Sequence, residues 1–400
     1  MIPLAITFGC VVGSIIALCT LPGACELLFL TIGGLLPTRR RPFLKSDSAH
    51  SPRIAIVIPA HNEELSIAAC VQSVSLCDSA RNPFSVFVVA DNCTDQTAVN
   101  ARAAGATALV RDDVARRGKG YALDFAFQTL MPNFDLFVVV DADTTVTPNL
   151  VQEFAFSVAS GADALQCRYK VRNASDSART RWMNIALMAF NVLRPRGRTR
   201  LGVSAGILGN GFALTRSTLE KVPYTAVSVV EDLEYHLRLI RAGIKVQFVD
   251  SVTVYGEMPT TGKGVLTQRS RWEGGRFRML AQFAPQLSGE VLRGRGRFLE
   301  PLVELLLLPL AFHVTLLALA LATPIALVRI YAVCSLVVVL AHLLSAIAIG
   351  GGKWRDLLAL FSAPFYVIWK LKVIFQLLGS SRKGTAWVRT ERAAPKAGVR

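Results

Sequence analysis

The sequence lacks the arrangements by which small secreted or metal-stapled proteins hold themselves together. Its eight cysteines, at 10, 19, 25, 70, 77, 93, 167 and 334, include no C-x-x-C pair, and its five histidines are scattered. A disulfide frame and a structural zinc site are thereby excluded, and the cysteines read as small core residues in a reducing compartment. No G-x-G-x-x-G follows the first strand-like run and no G-x-x-x-x-G-K-[ST] occurs anywhere, which sets aside a dinucleotide oxidoreductase and a P-loop phosphotransferase. There is no internal repeat and no low-complexity stretch. Charge is nearly absent from the start of the chain, where Glu26 stands alone among the first 36 residues.

What the sequence has in excess is apolar surface. A hydrophobic share of 52% and a mean hydropathy of +0.42 exceed what a soluble chain of 400 residues needs for its core. A bilayer core takes about 20 apolar residues. Residues 1–37 therefore read as an N-terminal transmembrane segment bent at Pro22-Gly23, and not as a signal peptide, which is shorter and begins with basic residues. "TRRRPFLK" follows at once, and clustered arginines mark the cytoplasmic side, so the chain start lies outside and a domain over 38–285 lies in the cytosol. A basic interfacial linker at 286–298, containing "LRGRGR", leads into a transmembrane hairpin at 299–349 with a break near Thr323-Pro324. The stretch 350–379 carries Lys370 and Lys372 within an apolar run; it reads as a span or as a helix in the interface, and the second reading keeps the basic tail 380–400 inside. The net charge of +16 is explained by basic residues flanking these segments, so the expected partner is the lipid bilayer and not nucleic acid. An integral plasma (inner) membrane protein is expected. A transporter is not, because apart from Glu300, Glu304 and the two lysines the ionisable residues cluster outside the apolar segments.

Between the apolar ends, β-rich runs alternate with helical stretches. "RIAIVIPA", a helix near 63–77, "FSVFVVAD", a helix near 95–104, "ATALVR" and a helix near 119–130 precede "VVVDADTTV". This alternation predicts right-handed crossovers and a mostly parallel sheet with helices on both faces, an α/β, Rossmann-like domain. Asp91 closes the second strand and the pair Asp141 and Asp143 closes the fourth, on the rim where such sheets bind ligands. Two like charges one residue apart call for a counter-ion. A hard cation, Mg²⁺ or Mn²⁺, bridging D-x-D to a diphosphate supplies one, although Asp-Thr-Thr also suits a solvated loop.

Seven motifs then occur in one order: "VIPAHNEE" (57–64), "VVADNCTDQT" (88–97), "RRGKGYAL" (116–123), "VVVDADTTV" (138–146), "GNGFALTR" (209–216), "VVEDLEYHLRLIRAGIKVQFV" (229–249) and "QRSRW" (268–272). Over roughly residues 53–280 the chain resembles the membrane-bound family 2 glycosyltransferases, the group of cellulose, hyaluronan and chitin synthases and many bacterial exopolysaccharide transferases. The resemblance implies a glycosyltransferase A fold, a nucleotide-sugar donor and inversion at the anomeric carbon. It also implies residue roles: Glu63 and Asp91 on the uridine, Lys119 near the base or phosphates, Asp141 and Asp143 on the metal, Asp232 as catalytic base, and Gln268, Arg271 and Trp272 bordering acceptor and diphosphate. "WVRTER" (387–392) resembles the short tail of some bacterial members, in which Trp387 and Arg389 would close over the site; a basic anchor on lipid suits it equally.

The residue chemistry is consistent with these roles. Inversion requires an acceptor hydroxyl to attack from the face opposite the leaving diphosphate, so one carboxylate takes a proton while a metal absorbs charge on UDP. Asp232 opens an amphipathic helix in which Leu233, Leu237 and Ile240 can pack, and the helix dipole is expected to lower its pKa and keep it a base. Plain structural roles compete: Glu231-Asp232 also suits a helix start, "QRSRW" a basic amphipathic helix, Gly-Asn-Gly a tight turn, and Lys119 a solvated charge. Two departures stand out. Val230 precedes the acids where the synthases have Thr, and Ala90 precedes Asp91 where an acid is common, which leaves the donor preference open. With few membrane helices, transfer to a lipid-linked acceptor is as plausible as extension of a polysaccharide. The competing view is a catalytically silent nucleotide-sugar-binding subunit of an assembly complex, which would have no need of the base.

Overall fold

The computed structural model describes residues 4–37, 51–78, 82–226, 230–258 and 262–380, with the side chains of 4–5, 262–274, 276–277 and 372–380 excepted. In chain order the elements are α1 (Leu4–Leu35), β1 (Ile54–Ala60), α2 (Ile67–Ser75), β2 (Phe84–Asp91), α3 (Thr97–Ala103), β3 (Thr107–Arg111), α4 (Lys119–Leu130), β4 (Leu136–Val139), β5 (Thr145–Val146), α5 (Leu150–Ala159), β6 (Ala164–Val171) and α6 (Ala178–Met188). After a π-helical turn at Ala189–Leu193 come α7 (Arg194–Arg200), β7 (Phe212–Thr215), α8 (Arg216–Lys221), α9 (Glu231–Arg241), β8 (Val246–Gly256), α10 (Gly262–Leu292), α11 (Leu299–Leu306), α12 (Leu310–Ala320), α13 (Ala326–Ile349), α14 (Trp354–Ala359) and α15 (Ala363–Ser380).

The described residues divide into two compact units, one built on the sheet and one on apolar helices from 1–37, 188–201 and beyond 269. The segment 188–201, inside the stretch expected to be wholly cytosolic domain, belongs to the helical unit.

In the sheet unit the strands run in the order β3-β2-β1-β4-β7-β6-β8-β5. The expected parallel pattern holds from β3 to β4, where β1 pairs in parallel with both β2 and β4. Beyond β4 the sheet is mixed: β7 runs antiparallel to β4 and β6, while β6 and β8 are parallel. The switch in winding falls between β1 and β4, the place where ligands collect in such sheets.

Alternation along the strands sorts the core into two layers. Ile54, Ile56, Ile58, Leu136 and Val138 face α2 and α5, packing on Val71, Val74, Leu150 and Phe154. Ala55, Val57, Phe137 and Val139 face the other way, onto Leu123 and Phe127 of α4 and Tyr235 and Leu239 of α9. Phe127 stands edge-on to Phe137 and Tyr224 at 5.6 and 5.4 Å, and such pairs are each worth about 0.5–1.5 kcal/mol beyond area burial. This second layer fixes the N-termini of α4 and α9 over the carboxyl end of β4.

In the helical unit two helices are long and apolar enough to cross a membrane: residues 6–35 at hydropathy 2.1 and Ala326–Ile349 at 2.5. The first continues unbroken through Pro22. The break expected near Thr323-Pro324 separates α12 from α13, but a second one was not foreseen: Gly296–Leu306 and Leu310–Ala320 meet at 79°. Pro309, at the start of α12, lacks the N–H that would continue α11, and its ring disfavours helical geometry at Leu308. The crossing of α1 with α7 is close, since a Cβ at Gly197 would lie 2.5 Å from the Leu30 carbonyl. Small residues allow such approaches between apolar helices.

Candidate active site

Asp141 lies just beyond β4, continuing the parity of Phe137 and Val139 toward α4 and α9. Its Oδ1 accepts a hydrogen bond of 2.5 Å from Lys119 Nζ, at the first residue of α4. Lys119 also donates to the Gly209 carbonyl. Gly209 in turn abuts the acid of α9: a Cβ built on it would lie 3.1 Å from Asp232 Oδ2. Asp141, Lys119, Gly209 and Asp232 thus form one chain of contacts, and the D-x-D turn and the E-D helix start share a site. With φ +78° and that clearance, position 209 suits glycine.

The electrostatics of this cluster differ from the expectation in one respect. The helix N-terminus was expected to lower the Asp232 pKa; instead burial raises it, and only in part do the Leu233 N–H, donated to Oδ1 at 2.8 Å, and the Lys119 charge oppose this. Desolvation penalises the charged form more than the first turn of a helix rewards it. Glu231 is pushed up to about 7 by burial and by the Asp232 charge, with Lys119 pulling it back. Burial alone would depress Lys119, but Asp141, Glu231 and Asp232 outweigh it and hold its pKa above the ordinary lysine value. Leu237 and Ile240 of α9 are buried as expected, whereas Leu233 is only half-buried and Tyr235 and Leu239 do more of the packing.

Asp143 is half-buried, with the Thr144 hydroxyl donating to its Oδ1 at 3.3 Å. Among the described residues no three His, Cys, Asp or Glu side chains come together to hold a metal ion. The two half-buried aspartates nevertheless fit a hard cation of the Mg²⁺ or Mn²⁺ type, which binds through one or two carboxylates and takes its remaining oxygens from substrate phosphates and water.

Glu63 and Asp91 sit at the ends of β1 and β2 as the motifs suggest, but both are engaged within the chain. Glu63 Oε2 accepts from Ser66 Oγ at 2.8 Å, and its N–H donates to Thr97 Oγ1 at 2.7 Å. Asp91 is buried and paired with Arg111 at 2.6 Å; Arg111 also holds Asp113 at 3.0 Å. Arg111 was not singled out from the sequence, and the signal is the β2–β3 register, which sets Asp91 opposite Arg111. Gln268, Arg271 and Trp272 lie on α10, but their side chains fall outside the described residues, as do Trp387 and Arg389 of the tail.

Two further buried amides matter: Asn210, read from the sequence only as part of a Gly-Asn-Gly turn, and Gln166, which was not singled out. Asn210 Oδ1 accepts the Asp141 N–H at 3.1 Å while its Nδ2 donates to Thr144 Oγ1 at 2.8 Å. Gln166 of β6 holds the loop on which Asn210 sits.

The family model described as "Glycosyltransferase like family 2" matches residues 52–275. Among curated relatives, a "Probable glycosyltransferase YdaM" of Bacillus subtilis is 27% identical over 272 residues, covering 65% of this chain and 64% of its own length. A beta-monoglucosyldiacylglycerol synthase of Synechocystis is 28% identical over 270 residues, covering 65% and 56%. The matched region therefore spans less than two thirds of either relative. A mannosyltransferase of Pyrobaculum calidifontis, solved with GDP-Man and Mn²⁺, shares the fold at a TM-score of 0.53 and 17% identity, over 84% of this chain and 97% of that one. Since the matched segment is more than half of the chain and carries the whole mixed sheet, with Asp141 and Asp232 in contact through one loop, the protein belongs to the family 2-like glycosyltransferases and has their glycosyltransferase A fold.

Proposed function

We propose that the protein is an inverting, metal-dependent glycosyltransferase that moves a sugar from a UDP-sugar to a lipid-linked or growing polysaccharide acceptor at the cytosolic face of the plasma membrane. The observation that supports this best is the contact chain from Asp141 through Lys119 and Gly209 to Asp232. On this reading the diphosphate lies at Lys119 and Asp141 and the base at Asp232, with Gly209 between them.

Asp141 and Asp143 would hold Mg²⁺ or Mn²⁺, which when bound offsets the charge appearing on the leaving diphosphate. Lys119 supplies a fixed positive charge to the same group once its contact with Asp141 is shared. Asp232 takes the proton of the acceptor hydroxyl. Its Oδ1 is occupied by the Leu233 N–H, so Oδ2, beside Gly209, is the basic atom. Glu63 and Asp91 frame the nucleoside side of the cleft, with Arg111 fixing the Asp91 carboxylate. Gln268, Arg271 and Trp272 border acceptor and diphosphate on this reading, and the segments 1–37 and 299–349 anchor the enzyme in the bilayer.

The relatives named for glycolipid synthesis favour a lipid acceptor over a long polymer. The test is a panel of radiolabelled nucleotide sugars offered to membranes containing the protein, with products sorted into lipid-soluble and polymeric fractions. UDP release with label in the lipid fraction, dependent on Mg²⁺ or Mn²⁺ and lost in Asp143→Ala, is the expected result. Donor binding without any transfer would leave the silent-subunit reading in its place.

A further inference from the structure

Strand β6 buries one amide in an apolar run, Gln166, which has no exposed surface. Both ends of its amide are engaged locally, and mostly by one loop. Its Oε1 accepts from the Leu208 N–H at 2.9 Å, and its Nε2 lies 2.8 Å from the Asn210 carbonyl, 3.1 Å from that of Gly211 and 3.0 Å from that of Cys167. The turn gripped in this way, Leu208–Gly211, contains two left-handed glycines, Gly209 and Gly211, at φ +78° and +67°. Glycine imposes no conformation of its own, so the turn needs an external clamp.

Besides the core layer under α4 and α9, the polar ties between the two halves of the site converge on this turn. The Gly209 carbonyl receives Lys119, its Cα sets the clearance to Asp232, and the Asn210 side chain holds the Asp141 N–H and the Thr144 hydroxyl on either side of Asp143. We propose that Gln166 is a positioning residue for the reaction, setting the placement of the D-x-D carboxylates relative to Asp232 through the Leu208–Gly211 turn. This inference rests on the functional reading above. Among neutral side chains of this reach only glutamine offers an acceptor and two donors at one end; an ionised glutamate of the same shape accepts only, and methionine has no donor and only a weak acceptor.

The experiment uses the full chain in detergent, as wild type, Gln166→Glu and Gln166→Met. Three readouts are taken: melting, the Mn²⁺ concentration giving half-maximal UDP release, and amide hydrogen exchange over residues 138–146 and 204–212 without metal. Residues that orient metal-binding side chains typically alter metal affinity or activity by about 10–100-fold. The expected result is that folded variants need at least about tenfold more Mn²⁺, lose turnover, and exchange faster in both segments. Folded variants with an unmoved Mn²⁺ titration and unchanged exchange overturn the proposal. If neither variant folds, Asn210→Ser cuts the same link one residue on: a shifted Mn²⁺ titration or faster exchange at 138–146 supports the proposal, and neither overturns it. If the wild type turns over no donor, the functional reading fails, and the exchange data still decide whether Gln166 positions the turn.

Discussion

The two units differ in how their largest buried polar networks are built. In the sheet unit they are mostly neutral and matched: Gln166 and Asn210 share out their donors and acceptors, and Ser204 Oγ takes the Val246 N–H at 3.0 Å while pairing with His236 at 2.8 Å. The helical unit also pairs neutral groups, Thr31 with His342 and Thr20 with Tyr331, each at 2.8 Å, but it adds a buried charged cluster that is only partly matched. Arg194 and Arg198 face Glu26 at 2.9 and 3.3 Å, Arg198 reaches Glu304 at 3.0 Å, and Arg198 also contacts Glu300. Two guanidiniums meet three carboxylates, and Glu26 Oε2, Glu300 Oε2 and Arg194 Nε have no hydrogen-bond partner. A matched neutral network fixes geometry at little cost, which is what a site for group transfer needs. A charged cluster in an apolar bundle makes a poorer ruler but an effective lock, because removing one member leaves the others unpaired in a low dielectric. The lock here fastens α7 to α1 and α11.

This contrast predicts which substitutions hurt activity and which hurt the fold. The largest effect on rate belongs to Asp232→Asn, expected to lower turnover about 10² to 10⁴-fold. Because it removes a charge whose ionised form the fold already disfavours, its melting temperature should not fall; a fall would mean that Asp232 is a structural acid after all. Asp143→Ala should match it in lost UDP release. Arg198→Met is the reverse case. It should cost about 3–5 kcal/mol of stability, read as a lower melting temperature in detergent, because it strands Glu300 and leaves Glu26 and Glu304 to Arg194 alone. Adding Glu300→Gln and Glu304→Gln to it should restore part of that loss, and no recovery would count against the lock.

A smaller effect comes from pH. Glu231, pushed up to about 7, and Asp232, raised in the same direction, bind protons more tightly folded than unfolded. Between the ordinary glutamate value of 4.5 and about 7 the folded state therefore holds the excess proton, so stability falls as pH rises through that window. The rate should move the other way, rising as pH rises through the titration of the pair, since the base works only when ionised. Glu231→Gln removes the neighbouring charge that opposes ionisation and should move the rise in kcat/KM to lower pH; an unmoved profile would place the controlling group elsewhere.

Much of this was legible in the sequence, for a physical reason. Strand and helix periodicities are local, so β1 to β4, their helices and the acids at the strand ends could be placed, with α4 starting at Lys119 as expected. The break before Ala326 was visible in Thr323-Pro324. The mixed half of the sheet was not, because the order of β7, β6, β8 and β5 depends on pairings between distant residues. Gln166 and Arg111 were not singled out, because only the register and the fold reveal their partners. The Asp232 shift was misjudged in sign because the helix start can be read from sequence and the depth of burial cannot. Pro309 was not singled out, because the apolar run around it reads as part of one span.

The smallest effect tests the departure at Val230. As N-cap of α9 it contributes no side-chain hydrogen bond, and the Leu233 N–H that a capping hydroxyl would take is held by Asp232 Oδ1 at 2.8 Å. In Val230→Thr the new hydroxyl competes for that N–H. A capping hydroxyl is typically worth about 0.5–2 kcal/mol, but here it displaces an existing bond, so the net gain in stability should stay below about 1 kcal/mol. The consequence for chemistry is more telling. An N–H donated to a carboxylate favours the ionised form, so freeing Oδ1 should raise the Asp232 pKa and move the rise in kcat/KM to higher pH, opposite to Glu231→Gln. The two shifts in opposite directions would show that the acids at the start of α9 set the pH profile, one through charge and the other through a single hydrogen bond. If Val230→Thr raises the melting temperature by the full value of a cap and leaves the profile unmoved, the hydroxyl has found another donor, and Asp232 keeps its bond to Leu233.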